Sequence, residues 1–210
     1  VAFNGALTTA AGSVLRAGGL AGPTVLTVAT GFTNHGTLEL TSTTLGYAAQ
    51  LTVTTGTLVN AADGTLSSLP GAGGARTLAA ELNNQGTLTL SAALTLSRAG
   101  AAHTNSVAVT LAAANLTVTQ SGGGSFTNTG AITIGSGRTW AVTGGTLDLS
   151  SGTLSGPGTL SVSGATFLGF STATVPVPLI LNAVTIAGDI TVPGGQTLTL
   201  LGGSSVDNAI

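Results

Sequence analysis

The feature that most constrains this chain is a short phrase that returns at a fixed interval. Gly64-Thr65-Leu66 returns about 22 residues later as Gly86-Thr87-Leu88, and Gly130-Ala131-Ile132 returns at the same spacing as Gly152-Thr153-Leu154. Between the two pairs, Asn105-Ser106-Val107-Ala108-Val109-Thr110-Leu111 fits the register after a slip of one residue. Two periods beyond Gly152 the count reaches Gln196-Thr197-Leu198, while the turn Ala173-Thr174-Val175-Pro176-Val177 fits poorly. Upstream, Gly36-Thr37-Leu38 precedes Gly64 by one period plus six, and Gly12-Ser13-Val14-Leu15 opens the series. Residues 32–40, 82–90 and 126–134 extend the match: an apolar residue precedes an Asn by two, and a Gly follows it by two. Recurrence on this scale is the mark of one structural unit stacked many times.

The unit itself reads as strand. Thr87-Leu88-Thr89-Leu90, Leu116-Thr117-Val118-Thr119 and Thr197-Leu198-Thr199-Leu200 alternate with period two and are rich in β-branched residues; Gly, Asn or Ser-Gly separates such runs. No window sustains a helical period with capping residues. Two or three short strands with tight turns make one coil, so the expected fold is all-β: a parallel β-helix (β-solenoid) with coils of roughly 22 residues and almost no helix. About nine or ten coils would form a rod of about 45 Å. An antiparallel sandwich also uses short alternating strands, but it does not require similar segments to recur at a fixed step. Residues 1–210 are expected to form a single domain. The start at Val1 without Met, and strand-like pieces running to Leu200, suggest a processed protein or a segment of a longer repeat protein.

Stacking explains the composition. Only 5% of residues are charged and there is no Lys, whereas the chain has 38 Thr, 18 Ser and 33 Gly. Each residue of a solenoid sits about 4.8 Å from its counterpart in the next coil, so like charges would repel along a column. The expected inward column is Leu66, Leu88, Val109, Ile132, Leu154 and Leu198. Thr65, Thr87, Thr89, Thr133, Thr153, Thr197 and Thr199 are expected on an outward Thr face, and Gly at corners needing positive φ. Asn34, Asn84, Asn105 and Asn128 share one register and are expected to stack as a structural amide ladder.

The Asn-x-Gly-Thr-Leu-Thr-Leu style of residues 34–40 and 84–90, and the TGGTLDLSSGTLSGPGTL stretch of residues 143–160, resemble bacterial secreted β-strand-repeat proteins of the autotransporter-passenger and filamentous-haemagglutinin-like kind. The resemblance implies a right-handed parallel β-helix, secretion, and adhesive or stalk duties. A membrane-inserted C-terminal barrel of that family is not recognisable in the sequence.

Several chemistries are excluded or disfavoured. Four scattered Arg cannot form the basic stripe of a nucleic-acid binder. Without Cys there is neither a disulfide framework nor a thiolate metal site. No apolar run reaches membrane-helix length, and 3% aromatics cannot supply the girdles of a membrane barrel. Parallel β-helices include polysaccharide lyases and hydrolases, which need clustered acids. Glu39, Asp63, Glu81 and Asp148 fall in different columns, and Asp189 and Asp207 are isolated, so they read as solvated turn or edge carboxylates. His103 falls in the column of Phe32, Leu82 and Phe126 and reads as half-buried packing; His35 lies about three coils away, too far for a two-His metal site. The runs Gly71-Ala72-Gly73-Gly74 and Gly122-Gly123-Gly124 read as flexible bulge loops.

The expectation is therefore a non-enzymatic extracellular or cell-surface protein, structural or adhesive, without cofactor or metal. Its expected partners are copies of itself, with surface glycans a further candidate. Two alternatives stand beside it. Outward Thr-x-Thr columns resemble the face of Thr-rich ice-binding solenoids, and a polysaccharide-binding or polysaccharide-cleaving β-helix is the third reading.

Overall fold

A computed structural model describes residues 1–43 and 45–206. In chain order the strands are β1 (Ala2–Phe3), β2 (Val14–Gly19), β3 (Thr24–Asn34), β4 (Thr37–Ser42), β5 (Ala49–Asn60), β6 (Thr65–Ser68), β7 (Arg76–Asn84) and β8 (Thr87–Leu90). They continue as β9 (Leu94–Leu96), β10 (Ala102–Asn105), β11 (Val109–Leu111), β12 (Leu116–Thr119), β13 (Ser125–Asn128), β14 (Ala131–Ile134), β15 (Thr139–Thr143) and β16 (Thr146–Leu149). The last are β17 (Thr153–Ser155), β18 (Thr159–Ser163), β19 (Thr166–Phe170), β20 (Leu179–Asn182), β21 (Thr185–Ile186), β22 (Leu198–Leu201) and β23 (Ser205–Val206). They stack in parallel as a β-solenoid of about 9 turns, each of about 23 residues, with no helix among the described residues.

The rod has three faces. β3, β5 and β7 are long enough to run over two of them, bending at a corner where the register of β3 on β5 shifts between Thr30 and Phe32. Beyond β7 this long strand becomes two. The first face continues as β9, β12, β15, β18, β20 and β22, and the second as β10, β13, β16, β19, β21 and β23. The third face carries β2, β4, β6 and β8, then β11, β14 and β17. After β17 it has no further strand among the described residues, only a single bridge from Thr174 to Thr191. Pro176 and Pro178 fall in this interruption, where a missing N–H breaks a ladder.

Period-two alternation sends every second residue inward. On the first face Leu26, Leu51, Leu78, Leu96, Val118, Val142, Val162 and Leu181 form one buried column. On the third, Leu38, Leu66 and Leu88 stack, and Val109, Ile132 and Leu154 stack after them. Leu198 does not join this column. It lies on the first face opposite Leu179, because the later coils are shorter: Leu160 pairs with Leu179, and Leu179 in turn with Leu198. A count in fixed steps therefore drifts onto another face.

The recurring glycine has a different cause from the one expected. Gly36, Gly64, Gly86, Gly130 and Gly152 do not have positive φ. They sit where the chain turns onto the third face, pressed against the coil before. A Cβ on Gly86 would lie 2.0 Å from the Ala61 carbonyl oxygen, and one on Gly130 2.2 Å from that of Val107. The phrase Gly-Thr-Leu repeats because no side chain fits at the corner, not because the backbone is left-handed.

Gly86→Ala should accordingly lower the unfolding free energy by about 1–3 kcal/mol, the usual cost of forcing atoms into a packed site. Gly22 is the matched control: its φ is ordinary, and a Cβ there would meet nothing within 4 Å. Gly22→Ala should change stability by less than about 0.5 kcal/mol in the same denaturant titration.

Candidate functional site

The most ordered polar feature lies inside the rod at the end of the second face. Asn34, Asn60, Asn84, Asn105 and Asn128 pair rung on rung and are all at most 3% exposed. Each Nδ2 donates to the Oδ1 of the Asn in the next coil, at 2.9, 2.9, 2.8 and 2.8 Å. The ladder starts from Thr9, whose hydroxyl donates to Asn34 Oδ1 at 2.9 Å. It closes on a backbone acceptor, with Asn128 Nδ2 donating to the Gly130 carbonyl at 2.9 Å. Other Nδ2 hydrogens reach the carbonyls of Gly36, Thr87 and Val107, which ties the ladder to the corner of each coil. In the rung beyond Asn128 the place is taken by buried Leu149.

Asn60 is the member that sequence reasoning missed. Two extra residues stand between it and its corner glycine, since the chain reads Asn60-Ala61-Ala62-Asp63-Gly64 where the coils of Asn34, Asn84 and Asn128 read Asn-x-Gly. The apolar residue two places before it, Leu58, was the available signal, for it lies opposite Phe32 and Leu82.

Of the seven Thr expected on one face, five lie on the third face, split between two sheets, and two lie on the first. Thr65, Thr87 and Thr89 lie on β6 and β8 of the third face, with Ser67 opposite Thr89. Thr133 and Thr153 lie on β14 and β17 but in different columns, opposite Ser155 and Ala131. Thr197 and Thr199 belong to the first face, with Thr199 opposite Ile180. The column that contains Thr89 also meets an ion pair, Arg16 with Glu39. A longer hydroxyl column exists elsewhere. Ser125, Thr146, Thr166, Thr185 and Ser205 stack over five coils of the second face. Its neighbours two residues on are Thr127, Asp148, Leu168 and Ala187, so it is one hydroxyl wide.

The acids are held singly. Glu39 pairs with Arg16. Asp63 accepts from His35 Nδ1 at 2.8 Å on the surface, a pairing that lowers its pKa. Glu81 takes a hydrogen bond from the Thr57 hydroxyl and another from the Ala102 N–H, and the first of these lowers its pKa most. Asp148 caps its own turn by accepting from Ser150 N at 3.0 Å. Glu81 and Asp148, on β7 and β16, are three rungs apart, about 14 Å. Among the described residues no three of His, Asp and Glu converge to hold a metal ion. Asp189 lies near the C-terminal end between β21 and β22; Asp207 falls outside the described residues.

Among the described residues, two charged or chargeable side chains, His103 and Arg76, face inward. His103 is fully buried rather than half-buried, one rung from Leu82 and directly opposite Phe126. Its ring lies 6.3 Å from that of Phe126, which meets Trp140 edge-on at 5.2 Å. Arg76 has the inward parity of β7, shared with Leu78, Ala80 and Leu82, and is 3% exposed. Its guanidinium donates to the carbonyls of Leu69, Gly73 and Gly74. Burial lowers its pKa. The Gly71-Ala72-Gly73-Gly74 run is thus wrapped round a buried cation, and a Cβ on Gly71 would lie 1.7 Å from the Ser42 carbonyl oxygen. It is a packed loop, not the flexible bulge expected from composition.

No family model, curated protein or solved structure matches the chain.

The ladder generates a sharp expectation. Asn84→Leu removes a buried amide whose Oδ1 accepts from Asn60 and whose Nδ2 donates to Asn105. Two buried polar groups then lose partners, each costing about 1–3 kcal/mol. Chemical denaturation should show a loss of about 2–5 kcal/mol, against less than about 1 kcal/mol for Asn83→Leu on the outward side.

Proposed function

We propose that this chain is a non-enzymatic structural or adhesive β-solenoid of an extracellular assembly, a stalk, fibre or surface-layer building block that associates with copies of itself. The observation that carries the reading is how the inward columns end. Leu181 is 0% exposed beneath Leu200, yet Leu200, in the same column one rung on, is 54% exposed. At the other end Val28 is 0% exposed and Phe3, its neighbour on β1, 40%. The terminal rungs of the described rod present apolar side chains and a free edge of backbone N–H and C=O groups. A further parallel coil satisfies both at once, and a second copy of the chain carries one. Polar chemistry supports the same reading, because Glu39, Asp63, Glu81 and Asp148 and the guanidinium groups of Arg16, Arg76, Arg98 and Arg138 are engaged by neighbouring turns and strands. The likeness to secreted β-strand-repeat proteins in residues 34–40, 84–90 and 143–160 supports an extracellular setting of the autotransporter-passenger or haemagglutinin kind, with surface glycans as further partners.

Light scattering and electron microscopy at rising protein concentration should reveal association, with particles growing along the rod axis. The double variant Phe3→Lys, Leu200→Lys should remain monomeric, because charge on a free edge opposes pairing. Strictly monodisperse monomers of the parent chain at high concentration would overturn the reading.

The five-coil hydroxyl column is the feature on which a second reading, ice binding, would have to rest. Matching ice needs a flat grid of hydroxyls, and this column is a single file flanked by Asp148 and Leu168. Freezing-point measurements should show no thermal hysteresis for the parent chain, nor any change in Thr146→Tyr, Thr166→Tyr. Hysteresis that disappears in that variant would move the function to this face.

A further inference from the structure

The coils do not stack uniformly, and four irregularities fall at one level. The third-face ladder stops at β8 and resumes at β11 as a separate sheet. At the same level the strand continuous as β3, β5 and β7 breaks into β9 and β10. β7 pairs with them through two rungs each: Thr77 with Thr95 and Leu78 with Leu96, then Asn83 with Thr104 and Asn84 with Asn105. An apolar cavity of about 10 Å³ lies beside this seam, lined by Leu82, Leu88, Leu96, Val109 and Phe126 among others. The fourth irregularity is His103.

Every other member of the His103 column is apolar: Phe32, Leu58, Leu82, Phe126, Leu147, Phe167 and Ile186. His103 is 0% exposed. Its Nδ1 accepts the backbone N–H of Leu82 at 3.2 Å, a hydrogen bond that crosses the seam. Nε2 is buried without a partner. A ring that accepts at Nδ1 is neutral and carries its hydrogen on Nε2. A proton added at Nδ1 would set two N–H groups against each other and leave a cation beside Phe126.

We propose that the seam between β7–β8 and β9–β11 is an acid-operated joint latched by His103: protonation of its imidazole breaks the bond to Leu82 and parts the N-terminal coils from the C-terminal ones. The step is a proton transfer from solvent to Nδ1 and needs no other reactant. The charged groups that face the ring act in opposite senses. Burial is the largest influence and pushes the imidazole down to about 4; Glu81 on β7 favours its charged form, and Arg98, in the turn before β10, opposes it. β13 and β15, packed on the other side, carry no ionisable side chain. The opened joint returns the imidazole to its ordinary value of 6.5, so the open state binds more protons between pH 4 and 6.5. The closed state is therefore favoured above pH 6.5 and loses ground as pH falls toward 4. From these two values the open-to-closed ratio rises roughly twentyfold between pH 7 and pH 5.

The chain has no Cys, so labels can be placed at will. Pyrene on Thr89→Cys and Thr110→Cys reports the outward side of the seam, between β8 and β11. Pyrene on Thr133→Cys and Ser155→Cys reports an intact rung, since these residues pair directly. Acidification should abolish the excimer of the first pair with a midpoint between pH 4 and 6.5 and leave the second unchanged. His103→Phe, which matches its neighbour Phe126, should hold the seam closed over the same range. Glu81→Gln, which removes the group favouring the charged ring in the closed joint, should let the joint open at the same or a higher pH than the parent. The proposal fails if the seam pair stays together at pH 4, if both pairs separate at the same pH, or if His103→Phe separates like the parent.

Discussion

The structure depends on superposition. Parallel backbone hydrogen bonds place each coil about 4.8 Å from the next, so a residue's nearest neighbour outside its own strand is its counterpart one coil away. Everything else follows from what tolerates a copy of itself at that distance. Leu, Val and Ile stack inward and exclude water. Thr and Ser stack outward without charge repulsion. Asn stacks inside because its amide is both donor and acceptor, so each rung satisfies the next. Charge does not stack: Arg16 meets Glu39, an opposite charge, and Arg76 meets Ala49 and a wrapping of carbonyls.

The same constraint explains why the chain can be irregular in length and regular in section. The coil between Thr37 and its partner Thr65 is much longer than the one between Thr77 and Thr95, yet the first-face column of Leu51, Leu78 and Leu96 runs through both. The extra residues leave at corners, as in the loop round Arg76, and the ladder bonds between coils restore the register on each face. The cost falls where faces change their plan. At β7 one strand becomes two and the third-face sheet breaks, and there the core admits a small void and a histidine. In a solenoid each coil touches only its neighbours, so an irregular interface is not made good by contacts elsewhere.

The scattering of the acids among the described residues follows from geometry as well. The carboxylates sit on separate faces or rungs, and a cleft of about 190 Å³ bounded by Thr153, Phe170 and Pro176 is lined by none of them. The terminal rungs are the more distinctive surfaces, for Leu200 and Phe3 are the same kind of residue as the buried column beneath them yet are 54% and 40% exposed.

The repeat was legible in the sequence because stacking forces periodicity. Gly-Thr-Leu at Gly64 and Gly86 marks a real rung, the alternation in residues 87–90 marks a real strand, and Asn34, Asn84, Asn105 and Asn128 share a register that adjacent coils keep. Sequence alone therefore determined the all-β class, the coil size and most of the inward residues. It did not determine which face a residue occupies once coil length changes, and so Leu198 and Thr199 were expected on the third face and lie on the first. Asn60 was hidden by two inserted residues, and Arg76 by its charge, although its parity pointed inward. The reason for the corner glycines was likewise decided only in three dimensions: local sequence cannot reveal that the Ala61 carbonyl presses on Gly86. Lateral contacts between coils, not preferences along the chain, settled each of these points, because register in a solenoid is a property of neighbours a whole coil apart in sequence.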